Sequence, residues 1–280
     1  IGSTIKGGSG SDSFEFNSYG LTSVALASNA DNDTIRLTGP TVETSIWGGK
    51  GEDSIQLRNT VTDSYIYANS GNDTIDVTAA VQNSFINGGE GDDRFSLTGT
   101  VTNSTLVAGS GADLLTFNNV VGNTSIQGFG GSTADTSNDT VVVSSSANDI
   151  NVSFAEGADS LSFNKGATNA TVAAAGGNDT VVASLTLASS SIEAGAGDDS
   201  LSISVLSGSS LKAGSGADTI NLSKAVSSQV YTNQDNDLII NSGDATTSTL
   251  SGGAGTDSIS IAGNVTGGQI VGNSGADSIS

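Results

Sequence analysis

The chain has no cysteine, no histidine, no methionine and one proline, Pro40, in 280 residues. Lacking Cys, it cannot be stapled by disulfides or hold a thiolate-bound metal. Lacking His as well, it has neither the usual zinc and copper ligands nor the base that activates a catalytic serine. Basic residues are scarce: 8 Lys and Arg stand against 29 Asp and Glu, a formal net charge of −21. Phosphate backbones and anionic lipid surfaces call for clustered basic side chains, so nucleic acid and membrane surfaces are excluded as partners. No apolar run approaches the ~20 residues of a membrane-spanning helix, so no membrane insertion is expected. No leader pattern opens the chain, which starts at Ile1 and stops at Ser280 in mid-motif. It is read as a fragment of a longer chain.

What is present is glycine, 38 residues of it, an apolar fraction of 35%, and a strong internal repeat. The apolar content is lean for one globular core, yet too regularly spaced for a disordered acidic tail. The segments Gly48-Gly-Lys-Gly-Glu-Asp53-Ser-Ile-Gln-Leu57 and Gly88-Gly-Glu-Gly-Asp-Asp93-Arg-Phe-Ser-Leu97 are the same unit. Aligned on the aspartate, the copies run through Asp12, Asp33, Asp53, Asp73, Asp93, Asp113, Asp139, Asp159, Asp179, Asp199, Asp218, Asp237, Asp257 and Asp277. These fourteen copies are spaced by 19 to 21 residues, apart from one gap of 26 between Asp113 and Asp139. Two residues before the aspartate stand Gly10, Asp31, Gly51, Gly71, Gly91, Gly111, Ser137, Gly157, Gly177, Gly197, Gly216, Asp235, Gly255 and Gly275. Gly, and among side chains Asp, tolerate positive φ, so this slot is expected to be a left-handed turn.

After each aspartate the pattern alternates, with apolar residues two and four positions on, as in Ile55/Leu57, Ile75/Val77, Phe95/Leu97, Leu115/Phe117 and Ile259/Ile261. Period-two alternation over about five residues predicts a short strand buried on one face. A further apolar position follows eight residues after the aspartate (Val61, Val81, Val101, Val121, Val226, Val265). Another follows near thirteen (Ile46, Ile66, Ile86, Leu106, Ile126, Ile192, Leu250, Ile270). Each copy therefore reads as turn, strand, turn, strand and back to its start. One such unit cannot bury its apolar face alone, but stacked units share a continuous core. The expected fold is all-β: a parallel β-solenoid of about 14 coils of about 20 residues, running as a single solenoid over 1–280 with an irregular coil at 128–139.

Stacking would place the fourteen carboxylates in a row, and at a strand spacing of ~4.8 Å two like charges repel by about 1 kcal/mol in water and several times that in a low dielectric. Arg36, Arg58, Arg94, Lys6, Lys50, Lys165, Lys212 and Lys224 are too few and out of phase to compensate. A cation between neighbouring coils resolves the conflict. The available donors are all oxygen, from Asp carboxylates and the carbonyls of a Gly-rich turn, which suits Ca2+ better than Mg2+ and excludes typical zinc and copper sites. Fourteen coils leave up to about 13 inter-coil sites, enough divalent charge to cancel the acidic excess of −21.

These units resemble the nonapeptide Gly-Gly-x-Gly-x-Asp-x-apolar-x of the repeats-in-toxin (RTX, hemolysin-type) calcium-binding family; Gly7-Gly-Ser-Gly-Ser-Asp12-Ser-Phe14 and Gly252-Gly-Ala-Gly-Thr-Asp257-Ser-Ile259 match it fully. The resemblance implies a right-handed parallel β-roll with calcium between adjacent turns, bound by the motif aspartate and turn carbonyls. It departs from the family pattern at the opposite turn (Val81-Gln-Asn-Ser84, Val101-Thr-Asn-Ser104), which has no Gly-rich signature. One calcium edge is therefore expected, facing a dry edge with an Asn ladder on which Asp63 and Asp149 also fall. In the irregular copy, Asp135 is a candidate substitute ligand.

The Ser or Thr after the aspartate in 11 of 14 copies reads as a solvated strand face, with ice binding the alternative. Trp47, Tyr65, Tyr67 and Phe85 are expected to project outward on neighbouring coils, as a stacked ladder or as a docking surface for a subunit or glycan. Asn-Asp-Thr at Asn32, Asn72, Asn138 and Asn178 is assigned to the calcium turn rather than to glycosylation. Catalysis finds no triad and no groove-forming insertion, so the chain is read as not an enzyme. The expected function is that of a calcium-stabilised extracellular structural repeat protein (secreted or at the cell surface, in a surface layer, filament or adhesin stalk), self-associating into a lattice or filament. The alternatives are an ice- or glycan-binding adhesin module, or the repeat domain of a secreted enzyme or toxin.

Overall fold

A computed structural model describes residues 2–129 and 135–280. The chain divides into two compact units, Ile1–Ser144 and Ser145–Ser280, each carrying seven of the aspartate repeats. All its described secondary structure is β, and the strand pairings are parallel. The fold is a parallel β-solenoid of about fourteen turns of about 20 residues.

In the first unit a coil contains three strands, as in Ser45–Lys50, Ser54–Leu57 and Val61–Thr62. The period-two segment after the aspartate becomes the second strand, and the apolar position near thirteen, Ile46, falls in the first. The third, only two residues long, was not anticipated; it pairs Val61 with Val81 and Thr62 with Gln82 on the next coil. Register is one residue to its counterpart one period on, such as Ile55 to Ile75 and Leu57 to Val77. Side chains of like polarity thus stack on one another and the inward apolar columns close into a core. Ile46, Ile66, Ile86, Ile55, Ile75, Leu57, Val77, Val61, Val81 and Val101 are all fully buried. Each such aliphatic side chain contributes about 1.5–3 kcal/mol on burial.

The second unit repeats the plan with one modification. Several corners straighten, so that Thr180–Ala188, Ser200–Ser207 and Thr219–Val226 run as single long strands. The coils from Asp199 to Asp218 and from Asp218 to Asp237 are 19 residues long, and the register against Thr180–Ala188 shifts between Ala183 and Thr186. This corrects one core expectation: the shorter corner turns Ala225 inward, fully buried, and leaves Val226 half-buried. Val265 holds its expected register opposite Ala245 but is exposed, because Val265–Thr266 is paired on one side only.

Candidate metal-binding edge

The turn that carries the aspartate is built from backbone conformations that few residues tolerate. All thirteen residues expected in the left-handed slot have positive φ, from 74° at Asp235 and 75° at Asp31 to 158° at Gly255. Ser137, in the irregular copy, does not. A second left-handed slot lies two residues earlier, occupied by Gly8, Asn29, Gly49, Asn69, Gly89, Gly109, Ala175, Gly195, Gly214, Asn233, Gly253 and Asn273. Its signal in the sequence is the restriction to Gly and Asn at almost every copy, obscured by their alternation. The two slots aim carbonyl oxygens at the neighbouring coil. A Cβ on Gly71 or Gly91 would collide with the carbonyl oxygen of Gly51 or Gly71, and one on Gly49 or Gly89 with that of Asn29 or Asn69. Two files of carbonyl oxygens therefore line the space between successive turns in the first unit, and Gly177, Gly197, Gly195 and Gly214 repeat them in the second.

Within each unit the motif aspartates stand in one file. Asp33, Asp53, Asp73, Asp93 and Asp113, and Asp179, Asp199, Asp218, Asp237 and Asp257, are each only 1–3% exposed. Their arrangement differs from a simple row of stacked charges. The Oδ1 of each accepts the backbone N–H of the aspartate one coil earlier, as from Asp33 to Asp53 (2.8 Å), Asp53 to Asp73 (2.6 Å), Asp73 to Asp93 (2.7 Å) and Asp179 to Asp199 (2.8 Å). The ladder survives the 26-residue spacing, since the Asp113 N–H donates to Asp139 Oδ1 at 3.0 Å. The other oxygen is left over. Oδ2 of Asp33, Asp53, Asp73, Asp93, Asp113, Asp199, Asp218 and Asp257 is buried and accepts nothing. Beneath it lies the residue five positions earlier, and a Cβ on Gly48, Gly88 or Gly252 would run into that oxygen.

A buried, unpartnered carboxylate oxygen disfavours its own ionisation. Burial first, with help from neighbouring carboxylates and against the N–H bond from the preceding coil, raises Asp73 from 3.8 to about 7 and Asp113 to about 8. By the same balance Asp179 and Asp218 rise to about 7. Burial likewise lifts Asp93 to about 7, Asp53 and Asp199 to about 6, and raises Asp237. Basic side chains do not relieve this. The ion pairs at Arg36–Glu15 (2.8 Å) and Arg58–Asp76 (2.7 Å) involve partners outside the aspartate file. Among the described residues no three acidic side chains converge, so a cation here would draw on one carboxylate per coil and on backbone oxygens. Anionic and carbonyl oxygens on a turn shaped by positive φ fit a hard divalent cation of calcium type.

The remaining sequence candidates are placed as follows. In the irregular copy, 130–134 lie outside the described residues; Asp135 Oδ1 accepts from Ser137 N–H at 3.1 Å, its Oδ2 is unpartnered, and its charge adds to the upward shift of Asp113. On the opposite edge, amide rungs do form, from Asn123 to Asn103 (2.8 Å) and from Asn169 to Asp149 (2.9 Å), but they are exposed. The buried ladder there is one of hydroxyls, which sequence reasoning missed: Ser64 Oγ accepts Thr44 N–H (3.1 Å) and donates to Thr62 O (2.8 Å), and Ser84, Ser104, Ser190, Ser209, Ser228 and Ser248 recur in the same slot.

Fold and edge together make a parallel β-solenoid with a candidate cation-binding edge. Residues 63–80 and 82–99 match the model of the RTX calcium-binding nonapeptide repeat (4 copies). The fold is similar to the crystal structure of a hyperactive, Ca2+-dependent, β-helical antifreeze protein from an Antarctic bacterium, at 20% identity and a TM-score of 0.54, over 100% of this chain and 83% of that one. A TibC-catalysed, hyper-glycosylated TibA fragment also aligns, at 15% identity and a TM-score of 0.46, over 100% of this chain and 94% of that one. No curated protein sequence matches the chain.

Proposed function

We propose that this chain is a non-enzymatic, extracellular structural module whose solenoid is completed by calcium. Ions sit between successive coils along the aspartate edge, up to about 13 in all. Each is held by the motif carboxylates (Asp12 through Asp277) and by carbonyls of the left-handed turn residues (Gly10 through Gly275). The observation that carries this reading is the buried, unpartnered Oδ2 repeated from coil to coil. A bound cation supplies the interaction these unpartnered oxygens lack and removes the mutual repulsion of the file. In a low-calcium cytoplasm the chain would stay largely unfolded and would fold on export, which makes it a calcium-triggered rod segment for a surface layer, filament or adhesin stalk. Lateral or end-to-end self-association of such segments follows from that role.

The test is far-ultraviolet circular dichroism at pH 8 with and without chelator, paired with calorimetric calcium titration. Collapse of the β signal on chelation and multi-site binding are expected. Full structure in metal-free buffer with no calcium uptake would sink the reading.

A second reading is favoured by the hydroxyl row beside the aspartates, where Ser54 stacks on Thr74, and Ser160, Thr180, Ser200 and Thr219 stack in register. That flat row makes ice binding, the property named for the antifreeze protein above, the alternative role. It is broken by Arg94, Leu114 and Leu238. Thermal hysteresis of the calcium-loaded protein decides between the two.

A further inference from the structure

The aromatic residues of the first unit do more than stack. Trp47 and Tyr67 lie side by side in register, their ring centroids 6.3 Å apart and their planes 6° from parallel. Phe85 leans against both tyrosines, 5.5 Å from Tyr67 at 42° and 6.5 Å from Tyr65 at 37°. The cluster is bounded: the residue beside Trp47 on the coil before is Ala27, and the one beside Tyr67 on the coil after is Asn87. On the Asn87 side the surface drops into a groove of about 620 Å³ lined by Tyr67, Lys50, Asn69, Asn87, Gly89 and Glu90.

We propose that this groove is a saccharide-binding site for a neutral glycan chain, with Tyr67 as the stacking platform and Asn87, Asn69, Lys50 and Glu90 as its hydrogen-bonding rim. The C–H face of a pyranose ring is complementary to the electron-rich face of an aromatic ring. Its hydroxyls need both donors and acceptors around the edge, and the rim provides amides, the Lys50 ammonium and the carboxylates of Glu90 and Asp135 within one groove. The volume lies in the range of small-ligand sites, which join an apolar wall to a few convergent polar groups. Charge selects against the other occupants. A polyanionic glycan would face a chain of net charge −21. An apolar protein ridge, including one from a second copy, would desolvate Lys50 and Glu90 without partners. The inference needs the folded coil but not the assignment of ions to the aspartate file.

Trp47 is the sole tryptophan, so its emission reports on the cluster beside the groove. The calcium-loaded protein, its fold checked by circular dichroism, is titrated with gluco-, manno-, xylo- and N-acetylglucosamine oligosaccharides while fluorescence and calorimetric heat are followed. Saturable binding of at least one class is expected, weakened tenfold or more in Tyr67→Ala and severalfold in Asn87→Ala. Tyr231→Ala, an aromatic on the second unit flanked by Lys212 and Ser251, should bind like the parent. Because Asn87 is half-exposed and outside the aspartate file, its variant keeps the proposal testable if Tyr67→Ala folds poorly. Four flat titrations on folded protein would overturn the proposal, as would binding that Asn87→Ala leaves intact. So would emission changes that follow protein concentration alone, which would mark a contact between copies. Failure of the protein to fold with calcium would instead count against the calcium reading.

Discussion

In each unit the two edges of the solenoid carry ladders of the same construction and opposite completeness. On both, an oxygen on one coil accepts the backbone N–H of the coil before: Asp73 Oδ1 from Asp53, and Ser84 Oγ from Ser64. The serine then donates to its own Gln82 carbonyl at 2.7 Å and has no obligation left. Asp73 has a second carboxylate oxygen, buried, with nothing to accept. If hydrogen bonding were the only duty, Ser, Thr or Asn would serve on either edge. An aspartate rather than a neutral residue at Asp33, Asp53, Asp73, Asp93, Asp113, Asp199, Asp218 and Asp257 is explained by what the bond leaves over, a buried carboxylate oxygen facing carbonyl-lined space.

The comparison breaks most visibly when the cation is withdrawn. In chelator, the raised pKa values set the sign of the pH dependence. Protonation favours the metal-free fold, because the folded groups hold protons at about 6 to 8 while the unfolded chain releases them near 3.8. That contribution is complete below about 4 and is lost as pH rises through 6 to 8. Metal-free protein should therefore gain β signal on acidification from pH 8 to 5, whereas calcium-loaded protein should be flat over that interval. A metal-free fold most stable at pH 8 would contradict the assignment.

A smaller effect is expected from Gly71→Ala, which forces a side chain into φ 124° against the Gly51 carbonyl. It should cost about 1–3 kcal/mol in thermal or denaturant unfolding and weaken calcium uptake locally. Exchanging single rungs sharpens the contrast further. Asp93→Asn keeps an oxygen for Asp73 N–H but removes the charge. Calorimetry should show the loss of one or two calcium sites, while stability in chelator at pH 8 is unchanged or higher. Ser84→Ala strands the Ser64 N–H and should cost about 1–3 kcal/mol, equally with and without calcium. The smallest effect is assigned to Asp63→Asn on the opposite edge: exposed and outside either buried ladder, it should leave calcium stoichiometry unaltered.

Much of this was legible in the sequence because a solenoid repeats its local chemistry every coil. The alternation at Ile55/Leu57 and the left-handed slot at Gly51, including its Asp31 and Asp235 substitutes, are local signals and were found. The hydroxyl ladder was not, because Ser84 in a turn sequence looks like any polar turn residue. Only its neighbour twenty positions away reveals that its Oγ closes a backbone bond. The Val61–Thr62 strand was missed for the same reason: two residues have no period, and pairing with the next coil defines them. Val226 was misassigned because a one-residue deletion changes which side chain faces inward without altering the composition of the coil.

The sequence by itself determined the period, the β class, the aspartate file and the oxygen-only chemistry around it, since each depends on residue types at fixed offsets within one coil. Tertiary structure alone decided how the buried carboxylates divide their two oxygens, which corner residue enters the core, and that an open groove lies beside the aromatic ladder that the sequence had placed on neighbouring coils. Those outcomes depend on the register between coils, and register is set by packing of the whole stack.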